Sequence, residues 1–121
     1  MPAYSQTRIH QTLLDQASCQ ADIHMQWMLL EAAHVVGQSR IGLHTNTHWR
    51  MLRLACRSND WAEVGGQVFR LLLIPLGHLT GRLPQGNIGR STVSAFVSMD
   101  VGPELRALIE QAQHQGMTAN R

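Results

Sequence analysis

Apolar residues recur every three to four positions along most of this chain, the period of an α-helix with one buried face. From Ser5 to about Gln20, Ile9, Leu13, Leu14 and Ala17 share one side among Gln, Thr and Asp, which predicts an amphipathic first helix. Asp22 to about Val36 carries Ile23, Trp27, Leu30, Ala33 and Val36 with further apolar residues between them, and a helix apolar all round belongs at the centre. Gly37 is placed to end it through a left-handed cap. Gln38 to Leu43 reads as a short connection. A third helix then runs from His44 or Thr45 to about Arg57, with Leu52, Ala55 and Cys56 inward and Arg50, Arg53 and Arg57 on another face. Asp60 and Glu63 open a fourth helix as a variant capping box. It continues through Trp61, Val64, Val68, Leu71 and Leu72 until Pro75 kinks or ends it. Gly65-Gly66 inside it is costly in helix propensity, so another backbone is expected to pack closely there.

The period is lost between Gly77 and Pro103. Gly81, Pro84, Gly86, Asn87 and Gly89 make a turn-rich segment, followed by β-prone Thr92 to Val97, for which extended backbone is the expectation. Pro103 suits the first turn of a closing helix that reaches about His114. The fold class that follows is all-α: one domain over residues 1–121, a small bundle of four to five helices with a long Gly-rich irregular segment before the last. Its ends, about 1–4 and 116–121, are expected to fray.

Composition narrows the function classes. With 44% hydrophobic and 15% charged residues the chain is globular, and a formal charge of +2 on scattered groups gives no reason to expect nucleic acid or a membrane surface as partner. All ten basic residues are arginine, so lysine Schiff-base chemistry and a Gly-Lys-Ser/Thr phosphate loop are both excluded. Cys19 and Cys56 form no CxxC pair and no disulfide framework. MPAYSQTRIH lacks the apolar run of a secretion signal, and Leu71 to Leu76 is too short to span a bilayer, so the cytoplasm is the expected location.

One constellation could carry chemistry. The second helix holds Glu31-x-x-His34 and the third holds His44-x-x-x-His48, spacings that put each pair on one helix face about a turn apart. A short loop joins the two helices, so they should pack antiparallel, and facing residue numbers should then add to a nearly constant sum. That sum is 78 for His34 with His44 and 79 for Glu31 with His48. Either pair alone is common in helical proteins as a surface or interhelical contact; both flanking one loop make a candidate metal site of Glu31, His34, His44 and His48. Three imidazoles and a carboxylate suit a divalent transition metal, zinc first, with nickel, cobalt, copper or iron as the alternatives. Four ligands would close the site; with Glu31 outside, three histidines leave a position at which water could be activated.

Other features read more simply as structure. His78 follows Pro75 as a packed or turn-facing residue, and His24 and His10 as helix-face residues. Met25, Met28 and Met51 fit a core, although thioethers also suit Cu(I). The arginine stripe fits a solvated face, and Gly86-Asn87-x-Gly89-Arg90 a turn. No Gly-x-Ser-x-Gly elbow is present.

From about residue 23 to 105 the chain resembles a family of small bacterial proteins of unknown function. The resemblance rests on Glu31-x-Ala33-His34-x-x-Gly37-Gln38, His44-x-x-x-His48, Gly66-Gln67-x-x-Arg70, Gly81-Arg82-x-Pro84-x-Gly86-Asn87-x-Gly89 and Val93-Ser94-Ala95-Phe96. The family is associated with heavy-metal-resistance gene neighbourhoods, which implies a metal-handling role but imports no activity. Three functions therefore stand as expectations. The first is cytoplasmic binding of a transition metal ion for buffering, delivery or sensing. The second is a hydrolase with a histidine-bound metal and activated water. The third is a metal-free module for a protein partner or a second copy of the chain.

Overall fold

A computed structural model of the protein describes residues 2–96 and 98–118. The periodic segments form five helices: α1 (Ala3–Cys19), α2 (Ile23–Gly37), α3 (Ile41–Arg57), α4 (Trp61–Thr80) and α5 (Pro103–Thr118). No strand occurs among the described residues, so the molecule is a small all-α bundle. α2 lies at its centre, against α1, α3 and α5, as its all-round apolar sequence requires. The core is built from Leu13 and Leu14 of α1, Trp27, Leu30 and Ala33 of α2, Met51, Leu54 and Ala55 of α3, and Leu105 and Ala112 of α5. No helix of the described residues is long and apolar enough to cross a membrane.

Several local expectations are corrected. Helix α3 begins at Ile41, so the connection after Gly37 is only three residues long and the hairpin is tight. Its inward face is His44, Thr47, His48, Met51, Leu54 and Ala55, whereas Leu52 is only half-buried and Cys56 is exposed. Gly37 is not a left-handed cap, for it lies outside the glycines of positive φ. It is glycine because a Cβ there would lie 2.8 Å from Cδ2 of His10 and 2.9 Å from Cβ of Leu43, where α1, α2 and α3 meet. His10 is itself a core residue, 1% exposed, with Nε2 2.6 Å from the Thr47 hydroxyl, not a helix-face histidine.

Helix α4 passes through Pro75 and ends at Thr80, with Gly81 in the left-handed conformation at φ 70°. Asp60 caps it by accepting from the Glu63 amide at 3.2 Å, but the Glu63 side chain turns inward instead of completing the box. α4 also inverts the usual pattern. Its buried positions are Glu63, Gln67, Arg70 and Ile74, while Trp61, Val68, Phe69, Leu72, Leu76 and Leu79 are exposed. The reason is what covers it: among the helices α4 packs on α3 alone, and the segment between Gly81 and Gly102 lies along its polar edge.

That segment is irregular, as its glycines and prolines dictate, and Thr92 to Phe96 form turns and a bend with no strand among them; Val97 lies outside the described residues. It is tied down by its backbone. Pro84 accepts from Gln38 Nε2 at 2.6 Å, and the Met99 amide donates to Gln85 at 2.8 Å. Gly86, at φ 73°, has the Met99 carbonyl oxygen 1.9 Å from where a Cβ would stand, so this turn admits no side chain. The close approach expected at Gly65-Gly66 occurs at Gly66 alone, where Ser91 Cβ lies 2.2 Å from a built Cβ. At the chain ends, Ala3 and Tyr4 and Gly116 to Thr118 are helical, and Met1 and residues 119–121 lie outside the described residues.

Candidate metal centre

The tight hairpin brings His34, near the end of α2, against His44 and His48, one turn apart at the start of α3. The Nε2 atoms of His34 and His48 are 3.0 Å apart, and each lies 3.2 Å from Nε2 of His44. All three rings are buried, at 2%, 6% and 2% exposure for His34, His44 and His48. The three edges therefore converge on one point inside the protein.

What holds the opposite edges decides the chemistry. His34 Nδ1–H donates to the backbone carbonyl of Asn87 at 2.6 Å, an acceptor that has no proton to give. His48 Nδ1–H donates at 2.6 Å to Oε1 of Gln67, whose Nε2 donates in turn to Glu63 Oε1 and to the Gly89 carbonyl, both at 2.9 Å. These partners assign the proton of each neutral ring to Nδ1, leaving bare Nε2 lone pairs at 3.0 Å. His44 Nδ1 is 2.9 Å from Nε2 of His78, and when it donates there its own Nε2 is bare as well. In that tautomer three lone pairs face one another with no hydrogen between them.

Protonation would relieve this crowding, but the surroundings oppose it. Burial, reinforced by the charge each ring would place on its neighbours, holds His34 well below the usual histidine value and His44 at about 3. Burial takes His48 to about 4 against the hydrogen bond it donates to Gln67, with Arg70 also disfavouring a second positive charge. Near neutral pH all three rings are uncharged ligand donors.

Glu31 does not join them. Its carboxylate accepts from Arg90 at 3.3 Å, and the Arg90 guanidinium lies 3.8 Å over the Trp27 ring, one turn from Glu31 on α2. Trp27 holds that arginine in place, and the carboxylate is engaged in the ion pair and stands outside the group of converging ligand atoms. Burial raises the Glu31 carboxyl, and Arg90 opposes the shift. The histidine-rich group among the described residues is therefore His34, His44 and His48, three of the four candidates.

Four residues orient the histidines directly or through one another, a role not expected of any of them from the sequence. Gln67 orients His48. Glu63, 2% exposed, orients Gln67 and is held by Arg90 Nε at 3.1 Å and by the amide and hydroxyl of Ser91. Burial raises the Glu63 carboxyl, but these hydrogen bonds and Arg90 outweigh it and leave it below the ordinary value. Asn87 orients His34, and its side chain also donates to the Ser94 carbonyl at 2.8 Å and accepts from the Gly89 amide at 2.9 Å. His78 backs His44. The signal that could have found Glu63 and Gln67 was a polar residue every fourth position on an otherwise apolar helix. Gly89, at φ 84°, lies against His34, where a Cβ would be 2.6 Å from Cδ2 of the ring.

Over the triad lies a cavity of about 320 Å³, lined by all three histidines, Arg70 and Arg82, with Leu73, Ile74, Leu76, Pro84 and Phe96 among its apolar walls. No carboxylate lines it among the described residues. Arg50, Arg53 and Arg57 border a smaller depression elsewhere, beside Ser18 and Gln26, and take no part in the site.

Residues 4–109 match a family described as a protein of unknown function, DUF3703. No curated protein and no solved structure matches the chain significantly.

Proposed function

Because the chain belongs to the DUF3703 family, whose function is unknown, we propose its role from the chemistry of its own side chains. The protein binds a divalent transition metal ion through Nε2 of His34, His44 and His48, and so serves in cytoplasmic metal handling: buffering, delivery or sensing. One observation carries this reading, the three Nε2 atoms converging at 3.0–3.2 Å while the Nδ1 edges are engaged by partners on other segments. An ion about 2.05 Å from each nitrogen would subtend N–metal–N angles of about 100°, close to tetrahedral, with one position left over. Backing of ligand histidines by carbonyl or carboxamide oxygens, as Asn87 and Gln67 do here, is the usual way such sites fix the tautomer. Imidazole donors suit zinc first and nickel, cobalt, copper or iron after it.

The cavity over the open position supports a second reading, a hydrolase in which the ion activates water. Its walls offer no carboxylate as a base among the described residues, so the metal-bound hydroxide would itself have to be the nucleophile.

The test is elemental analysis of protein purified without an affinity tag, beside a His44→Ala/His48→Ala variant. About one equivalent of metal in the parent, and none in a variant with unchanged circular dichroism, is the expected result. A parent that holds no metal and takes up neither zinc, nickel, cobalt nor copper would refute the reading.

A further inference from the structure

Arg70 is 8% exposed, yet no carboxylate of the described residues makes an ion pair with it. Its two terminal nitrogens donate to the backbone carbonyls of Gly66, at 3.2 Å, and Val93, while its Nε has no partner. Glu63, which feels its charge, spends its oxygens on Gln67, Ser91 and Arg90. A buried guanidinium satisfied only by neutral groups is an expensive arrangement unless something anionic completes it. Arg70 lines the cavity over the triad, and Arg82, exposed, lines the same cavity. Three neutral imidazoles do nothing to offset the two positive charges of a bound divalent ion, so the loaded cavity would gather that ion and two arginines with no carboxylate among its lining residues.

We propose that the cavity takes a small molecule with an anionic oxygen head group and an apolar body, the head at the open metal position beside Arg70 and Arg82 and the body against Leu73, Ile74, Pro84 and Phe96. The inference rests on the metal reading above and names the ligand class for the same site. Charge selects the head, because the anion offsets the charge of the ion and pairs with an arginine that makes no ion pair of its own. The apolar walls select the body, since burying them against a hydrocarbon group removes both surfaces from water.

The experiment uses cobalt-loaded protein, its cobalt content measured first, with the visible ligand-field bands followed during titration with benzoate and, separately, with benzamide. Benzoate is expected to shift the bands saturably, and the uncharged benzamide to need roughly tenfold more or fail. Arg70→Gln should weaken benzoate by about tenfold while the cobalt content stays the same. Should that variant not fold, the parent's benzoate and benzamide curves and the exposed Arg82→Gln variant, expected to weaken benzoate by about threefold, decide the matter. Bound cobalt with bands unmoved by about 50 mM benzoate, or moved equally by benzamide, overturns the anion proposal and leaves the metal site standing. Absence of cobalt uptake overturns both.

Discussion

Metal-free protein should lose stability steeply between pH 7 and pH 5.5, because its core holds histidines that must stay neutral to remain folded. His10, His44 and His48 fall from the ordinary 6.5 to about 4, about 3 and about 4, in each case chiefly through burial. The folded values lie below the unfolded one, so between them the unfolded chain binds more protons. The stabilising contribution is therefore complete above pH 6.5 and declines as the pH drops below it, until the folded values themselves are reached. For one such residue, acidification from pH 7 to 5.5 costs about 1 kcal/mol, and three together cost roughly 3–4 kcal/mol. A domain of this size holds only about 5–15 kcal/mol in all, so the effect is large. Urea unfolding followed by circular dichroism in the presence of a chelator, at pH 7, 6 and 5.5, measures it. His10→Leu isolates one share away from the triad, and the Thr47 hydroxyl keeps its bond to the Leu43 carbonyl at 2.9 Å. That variant should lose about 1 kcal/mol less than the parent over the same interval. A parent whose stability stays flat from pH 7 to 5.5, or a variant with an undiminished loss, would show that the histidines are not buried neutral groups.

Gly89→Ala should lower both metal content and thermal stability, by about 1–3 kcal/mol or more. Position 89 is at φ 84°, and the new methyl would strike the His34 ring. Differential scanning calorimetry with elemental analysis checks it, and a fully loaded, equally stable variant would contradict the packing of the turn. Gln67→Leu should weaken zinc about 10- to 100-fold in a competition titration while leaving three ligands in place, because His48 loses the acceptor that orients it. Unchanged affinity would mean Gln67 positions nothing. Leu72→Glu should move folding stability by no more than about 0.5 kcal/mol, since Leu72 is 75% exposed on the outer face of α4; a large loss in chemical denaturation would place that face inside the core.

The helices, the hairpin and the meeting of His34 with His44 and His48 were legible in the order of residues alone. Apolar period and the shortness of a loop are local quantities, and a short loop, read as Gln38 to Leu43 and in the structure only three residues, leaves an antiparallel hairpin little choice of register. The same local reasoning erred wherever the partner came from far along the chain. Glu31 stood at the right height on α2, but Arg90, 59 residues away and stacked on Trp27, claimed it. Gln67, Asn87 and His78 lie 19, 53 and 34 residues from the histidines they orient, and nothing in helical spacing states which distant segment will lie against which ring. α4 shows the reason most plainly. Its pattern predicted only that one face differs from the other. That the polar face of Glu63, Gln67 and Arg70 should be buried, and the face of Trp61, Phe69 and Leu72 exposed, was decided when the segment after Gly81 lay across the first and offered it hydrogen bonds. A buried polar group is stable only beside a partner that satisfies it, and that partner is supplied by tertiary structure.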